Sequence, residues 1–202
     1  MQFDYLTLLV YCARGTSEKA RLSQLYKGQI KNGSPKFGKQ LAATIFDRKL
    51  EEYFSDSILI PVPRSTPTID GALFPTNILC EIFVQKGLGT RVYTGLTRIH
   101  AIPKSHGSFT ADTRPSLKDN LKSLSIQPQL VTEPNIIIVD DFLTLGRSTM
   151  AAALKVKEAF PDKNVKIFTA FRTRGNDLDI FVDVKNNVMK LNMIKSDVVL
   201  PD

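Results

Sequence analysis

Apolar residues recur along this chain with two periods, and the alternation between them outlines the fold. A short opening strand spans about Phe3 to Tyr11. Leu22, Leu25, Tyr26 and Ile30 then fall at helical spacing within Ser17 to Ile30, and the cluster Lys31-Asn32-Gly33-Ser34-Pro35 breaks that helix. A second helical pattern carries Phe37, Leu41, Ile45, Phe46, Leu50 and Tyr53 or Phe54. Ser57 to Val62 reads as a buried strand, a helix starts near Pro75 and stops at Gly87, and Thr90 to Thr97 reads as a strand. Ile136, Ile137, Ile138 and Val139 form an unbroken β-branched run, as in a strand buried on both faces of a parallel sheet. A helix bearing Ala153, Val156 and Phe160 on one face follows it, then a strand from Val165 to Phe171, and Asn186-Asn187 is expected to turn a terminal hairpin. Strands alternating with helices in this way predict an α/β fold: an open, mostly parallel twisted sheet flanked by helices.

With 202 residues, the chain suits one domain. Its parts read as a basic helical region (1–56), a core (57–175) and a C-terminal hairpin (176–202). Hydrophobic content of 43% and charged content of 23% are ordinary for a globular protein. Cys12 and Cys80 lie far apart in no CxxC spacing, which argues against a disulfide scaffold or a zinc site and suits a reducing compartment. The apolar stretch from Tyr5 to Cys12 is too short to span a bilayer. We therefore expect a cytoplasmic protein with no membrane partner and no metal cage of its own.

The net charge of +7 is concentrated between Arg14 and Lys39, where Arg14, Lys19, Arg21, Lys27, Lys31, Lys36 and Lys39 face a single acid, Glu18. Such a segment can attract a highly phosphorylated small molecule or a nucleic acid, or simply solvate a helix face. The stretch lacks interleaved aromatics beyond Tyr26 and Phe37, so nucleic acid is the less favoured partner. If these charges line the ligand cleft they serve a substrate; on a separate face they would suit nucleic acid.

The chemistry concentrates in Asn135 to Thr149, NIIIVDDFLTLGRST. The buried strand delivers Asp140 and Asp141 at its carboxyl end, and a loop with Thr144, Leu145, Gly146, Arg147 and Ser148 leads into a helix. In an open parallel sheet, ligands sit outside the carboxyl ends of the strands. Helix-start N–H groups can hold a phosphate there while the acids accept from vicinal hydroxyls. Three further loops reach the same edge: Pro63-Arg64-Ser65-Thr66, the long aperiodic stretch from Arg98 to Ser116, and Arg172-Thr173-Arg174-Gly175. No GxGxxG, GxxxxGK[ST] or GxSxG occurs.

The acidic segment resembles the phosphoribosyl pyrophosphate (PRPP) loop of type I phosphoribosyltransferases, written as a hydrophobic run, Asp-Asp, two apolar residues and Thr-Thr-Gly-x-Thr. Leu145 stands in place of the second Thr and Ser148 in place of the last. The resemblance implies that Asp140 and Asp141 are catalytic and that residues 144–148 bind the 5′-phosphate. It makes Arg64, Ser65 and Thr66 the pyrophosphate loop, and the stretch holding Arg98, Lys104 and His106 a flexible lid. It further implies Mg²⁺ bound with PRPP, a nucleobase-like acceptor and a hood built from the N- and C-terminal segments. The oligomeric state stays open, with a homodimer among the options. Pro61-Val62-Pro63, Leu96-Thr97-Arg98, Arg114 and Asn120-Leu121 also look similar to ComF-type proteins, although no cysteine-rich module is present. The competing expectation is a non-catalytic PRPP-sensing or ComF-like accessory protein acting with nucleic acid.

Overall fold

A computed structural model describes residues 1–69, 71–103, 114–175 and 180–201. Its centre is a seven-stranded sheet in the order β3-β2-β6-β7-β1-β8-β9. The strands are β1 (Gln2–Cys12), β2 (Ser57–Pro61), β3 (Arg91–Val92), β6 (Asn135–Leu143), β7 (Asn164–Arg174), β8 (Val182–Asn192) and β9 (Asp197–Val199). From β3 through β1 every neighbouring pair is parallel; β8 and β9 are added antiparallel at one edge. A separate antiparallel pair is formed by β4 (Leu96–Arg98) and β5 (Leu124–Ile126).

Strand parity sorts the core. Ile136 and Ile138 of β6 pack with Ile58 and Ile60 of β2 under α5 (Arg147–Ala159), whose Met150, Ala151 and Ala153 belong to the same cluster. Ile137 and Val139 face the other way, against Leu41 and Ile45 of α2 (Pro35–Asp47) and Leu79 and Phe83 of α3 (Pro75–Gln85). Both faces of the central strands are thus covered, which is why β6 carries no polar break until its end. The alternation slips by one residue across the two acids: Phe142 returns to the face of Val139, and Leu143 to that of Ile138.

Several elements depart from the pattern read off the sequence. The second helix stops at Asp47 rather than reaching Phe54; Lys49 adopts a positive φ of 54°, and a 3₁₀ turn covers Glu51–Phe54. The expected strand from Thr90 to Thr97 is two short ones, β3 and β4, in different sheets. A helix α4 (Leu117–Ser123) closes the loop that follows, started by a capping box between Ser116 and Asp119. Asn186-Asn187 does not turn: β8 runs straight through it, paired with β1, and the chain reverses at 193–196. The C-terminal segment is therefore an edge of the main sheet. No helix among the described residues is long and apolar enough to cross a membrane.

Candidate functional site at the carboxyl edge of the sheet

The carboxyl ends of β1, β2, β6 and β7 open onto one cleft of about 750 Å³. It is lined by Asp140 and Asp141, by Thr144 through Thr149, by Arg64 and Ser65, and by Arg98, Arg114 and Asn120. Arg14, Lys27 and Lys31 close it from the N-terminal side. The four segments meet because parallel strands bring all their carboxyl ends to one side, and β2 is hydrogen-bonded directly to β6.

Gly146 controls the start of α5. Its φ of +72° is the left-handed conformation that only glycine adopts at low cost, and a Cβ there would meet Val198 Cγ1 at 3.2 Å and Leu200 Cδ1 at 3.3 Å. The Gly146 carbonyl accepts from Met150 N–H at 2.8 Å and from Thr149 Oγ1 at 3.0 Å, closing the first turn. No side chain caps the helix. The first-turn amides and the positive end of the helix dipole are thereby presented beside the acids, an arrangement suited to an anion. Ser148 Oγ donates to the buried Asn120 Oδ1 at 3.2 Å, which ties the turn to α4. The Arg147 guanidinium forms a two-pronged pair with Asp197 (2.8 and 2.6 Å), so this cleft-lining side chain also anchors the C-terminal hairpin.

The acids are not equivalent. Asp141 is ion-paired with Lys31, the last residue of α1 (Glu18–Lys31). Burial pulls the Lys31 ammonium down, but the Asp141 contact outweighs it and holds the group above its ordinary value. Asp140 is pushed up to about 8, chiefly by burial in the cleft floor and next by the adjacent Asp141 carboxylate, with Lys31 opposing. Its Oδ1 accepts from the Asp141 amide at 2.8 Å.

On the β2 side, the turn after Val62 is held from below by Arg98. This residue was expected in a flexible lid. Instead it belongs to β4, is only 4% exposed, and donates to the Arg64 and Pro63 carbonyls and to Ser123 Oγ. Burial lowers its pKa. Arg98 is thus a strut that shapes the Pro63–Ser65 turn. The Arg64 guanidinium is exposed and rests on the Leu73 carbonyl at 2.8 Å. Ser65 lines the cleft and its carbonyl accepts from the Ile102 amide, whereas Thr66 is exposed outside the lining. Lys104 and His106 lie outside the described residues. On the β7 side, Arg172 is buried and donates to the carbonyls of Leu143 and Thr144, and Thr173 hydrogen-bonds Thr144 through their hydroxyls at 2.8 Å.

Two features of the cleft were not singled out in the sequence. Lys31 sat inside the breaker that ends α1, and nothing local ties it to an acid more than a hundred residues away. Tyr11 and Phe142 form an edge-to-face pair with centroids 5.1 Å apart at the cleft wall; in the sequence Tyr11 reads only as the end of a strand and Phe142 as an apolar position of the PRPP-loop pattern. No protein-family model matches the chain, and no curated protein matches it.

Proposed function

We propose that the cleft binds PRPP and transfers its ribose 5-phosphate group to a nitrogen nucleophile, releasing pyrophosphate. One observation carries this reading: two carboxylates at the end of β6 share a cleft with an uncapped, glycine-started helix on one side and the Arg64–Ser65 turn on the other. That is the order in which ribose hydroxyls, 5-phosphate and pyrophosphate would need to be met. The first-turn amides of α5 take the 5-phosphate, with the hydroxyls of Thr144 and Ser148 beside them. Asp141 and the ionised form of Asp140, which grows in as pH approaches about 8, accept from the ribose hydroxyls and stabilise positive charge developing at the anomeric carbon. Arg64 swings from the Leu73 carbonyl to the pyrophosphate, where its planar fork matches phosphate oxygens. The nitrogen lone pair forms the new bond to carbon as the carbon–oxygen bond breaks, and the electron pair departs on pyrophosphate.

Two neighbouring carboxylates on the cleft suit a Mg²⁺ ion that arrives on phosphate oxygens, since this ion typically takes one or two carboxylates beside substrate phosphates. When bound, the ion would offset charge on the departing pyrophosphate. The placement of Arg14, Lys27 and Lys31 on the cleft supports a phosphorylated small molecule over nucleic acid as the object of the basic segment. A screen of nitrogenous acceptors with PRPP and Mg²⁺, read as pyrophosphate release, tests the reading. Release with at least one acceptor is expected; none with any acceptor would favour a PRPP-sensing role without turnover.

A further inference from the structure

On the transfer reading above, one ligand must meet two anion subsites at once: the Pro63–Ser65 turn after β2 and the first turn of α5 after β6. The pairing of β2 with β6 ends at Pro61 and Val139, with the Val62 amide donating to the Val139 carbonyl at 2.8 Å. Past that point the β2 turn leaves the sheet, and its distance from α5 depends on what else holds it.

A small module spans the gap. β4 and β5 pair with each other outside the main sheet, and α4 lies between them in the chain. Leu96, Leu117 and Leu124 sink into the core cluster that holds Met150, Ala151 and Ala153, which seats the module on α5. From there hydrogen bonds run back to the turn. Ser148 Oγ donates to Asn120 Oδ1 at 3.2 Å, and Ser123 Oγ donates to the Asn120 carbonyl at 2.7 Å. The Arg98 guanidinium donates to Ser123 Oγ and to the carbonyls of Pro63 and Arg64. Asn120 Nδ2 donates to the Ser116 carbonyl at 2.9 Å, which leaves Oδ1 to accept from Ser148. The Ile102 amide adds a second tie, on the Ser65 carbonyl at 2.8 Å. Arg98 is 4% exposed, and Asn120 and Ser123 are 2% exposed. Leaving a buried donor or acceptor unmet is costly, so these links resist the sliding that apolar contacts would permit.

We propose that Arg98, Ser123 and Asn120 are positioning residues that set the span between the pyrophosphate turn and the 5-phosphate turn, so that the cleft selects a ligand carrying both groups over one carrying either alone. Ser123 lies outside the cleft lining and acts through its neighbours. In a ligand that fills both subsites, the second group binds at an effective concentration set by the first, and that advantage falls when the span is free to vary. A ligand that fills one subsite has no such dependence.

Titrating the full chain with PRPP, with pyrophosphate and with ribose 5-phosphate separates span from local shape. Each is titrated calorimetrically with Mg²⁺ above pH 8, where Asp140 is ionised. Ser123→Ala removes the central hydroxyl of the chain of hydrogen bonds. It should weaken PRPP binding about tenfold or more, while each single-group ligand changes by less than about threefold. Asn120→Ala should give the same pattern from the α5 side. Ser57→Ala deletes another buried serine hydroxyl, one that donates to the Phe54 carbonyl at the amino end of β2, and should leave all three affinities unchanged. Unchanged PRPP affinity in Ser123→Ala and Asn120→Ala would overturn the inference. So would a loss that pyrophosphate or ribose 5-phosphate shares in full, because the effect would then be local to one turn. No PRPP binding by the wild type would sink the transfer reading and this inference with it, whereas PRPP binding that survives both variants sinks the inference alone.

Discussion

Two carboxylates side by side on one strand end have different surroundings, and for Asp140 this has a consequence for stability. Asp141 has Lys31, whereas Asp140 is pushed up to about 8 by burial and by its neighbour's charge. A carboxyl whose folded pKa lies above its unfolded one binds its proton more tightly when folded. Its stabilising contribution is therefore complete below the ordinary carboxylate range and is lost as pH rises through the folded value. Asp140→Asn cannot suffer that loss. Its thermal midpoint should match the wild type in acid and exceed it increasingly as pH approaches about 8; midpoints that stay parallel across the range would show that Asp140 carries no such perturbation. The pair itself was legible in the sequence, since a strand buried on both faces ends abruptly in two acids. The inequality was not, because it depends on how deeply the fold buries Asp140 and on Lys31, which the chain brings back from the end of α1 to Asp141. Arg98 shows the same limit: a basic residue beside a Pro- and Gly-rich stretch reads as solvated, and only the fold reveals that three buried or half-buried acceptors consume it.

Among the elements, the β6–α5 unit is the one that sequence and structure describe alike. A long apolar run, a glycine and a helical pattern are local signals, and the left-handed turn that Gly146 supplies follows from them. Gly146→Ala should therefore cost about 1–2 kcal/mol for the left-handed conformation alone. Crowding against Val198 and Leu200 adds to it. The expected result is a lower denaturant midpoint together with weakened binding of a phosphate-bearing ligand at the α5 amides; full retention of both would mean that the first turn of α5 is not the anion site. Elements that depend on tertiary contacts were misread. The Asn186-Asn187 pair looked like a turn, yet β8 stays extended there because its backbone is paired with Tyr5 and Leu6 of β1. The true reversal is set by Asn192, whose side-chain oxygen accepts from the Ile194 and Lys195 amides at 3.0 Å each. Exposed Met193 and Ile194 disguised it. The small β4–β5 sheet and α4 were missed because each is too short to show a period, and the capping box at Ser116 was the one local sign of α4.

For the molecule as a whole, topology creates the site. Five parallel strands collect their carboxyl ends on one side, and the antiparallel β8–β9 extension reaches round to Gly146 and Arg147, so the C-terminal segment braces the same helix start that faces the cleft. The basic segment, unassignable from charge alone, divides in space: Arg14, Lys27 and Lys31 on the cleft, Lys36 and Lys39 exposed outside it. The central claim is that the two acids, the α5 amides and the β2 turn form one PRPP site. It is tested most directly by calorimetric titration of PRPP with Mg²⁺ into the wild type and into the Asp140→Asn, Asp141→Asn double variant. Both side chains keep their volume in the variant, so unchanged circular dichroism confirms the fold. Titrated above pH 8, where Asp140 is ionised, the wild type should bind and the variant should lose about a hundredfold or more, the scale of two charge-assisted hydrogen bonds to ribose hydroxyls. Equal affinity in the two proteins, or no binding by the wild type, would contradict the claim.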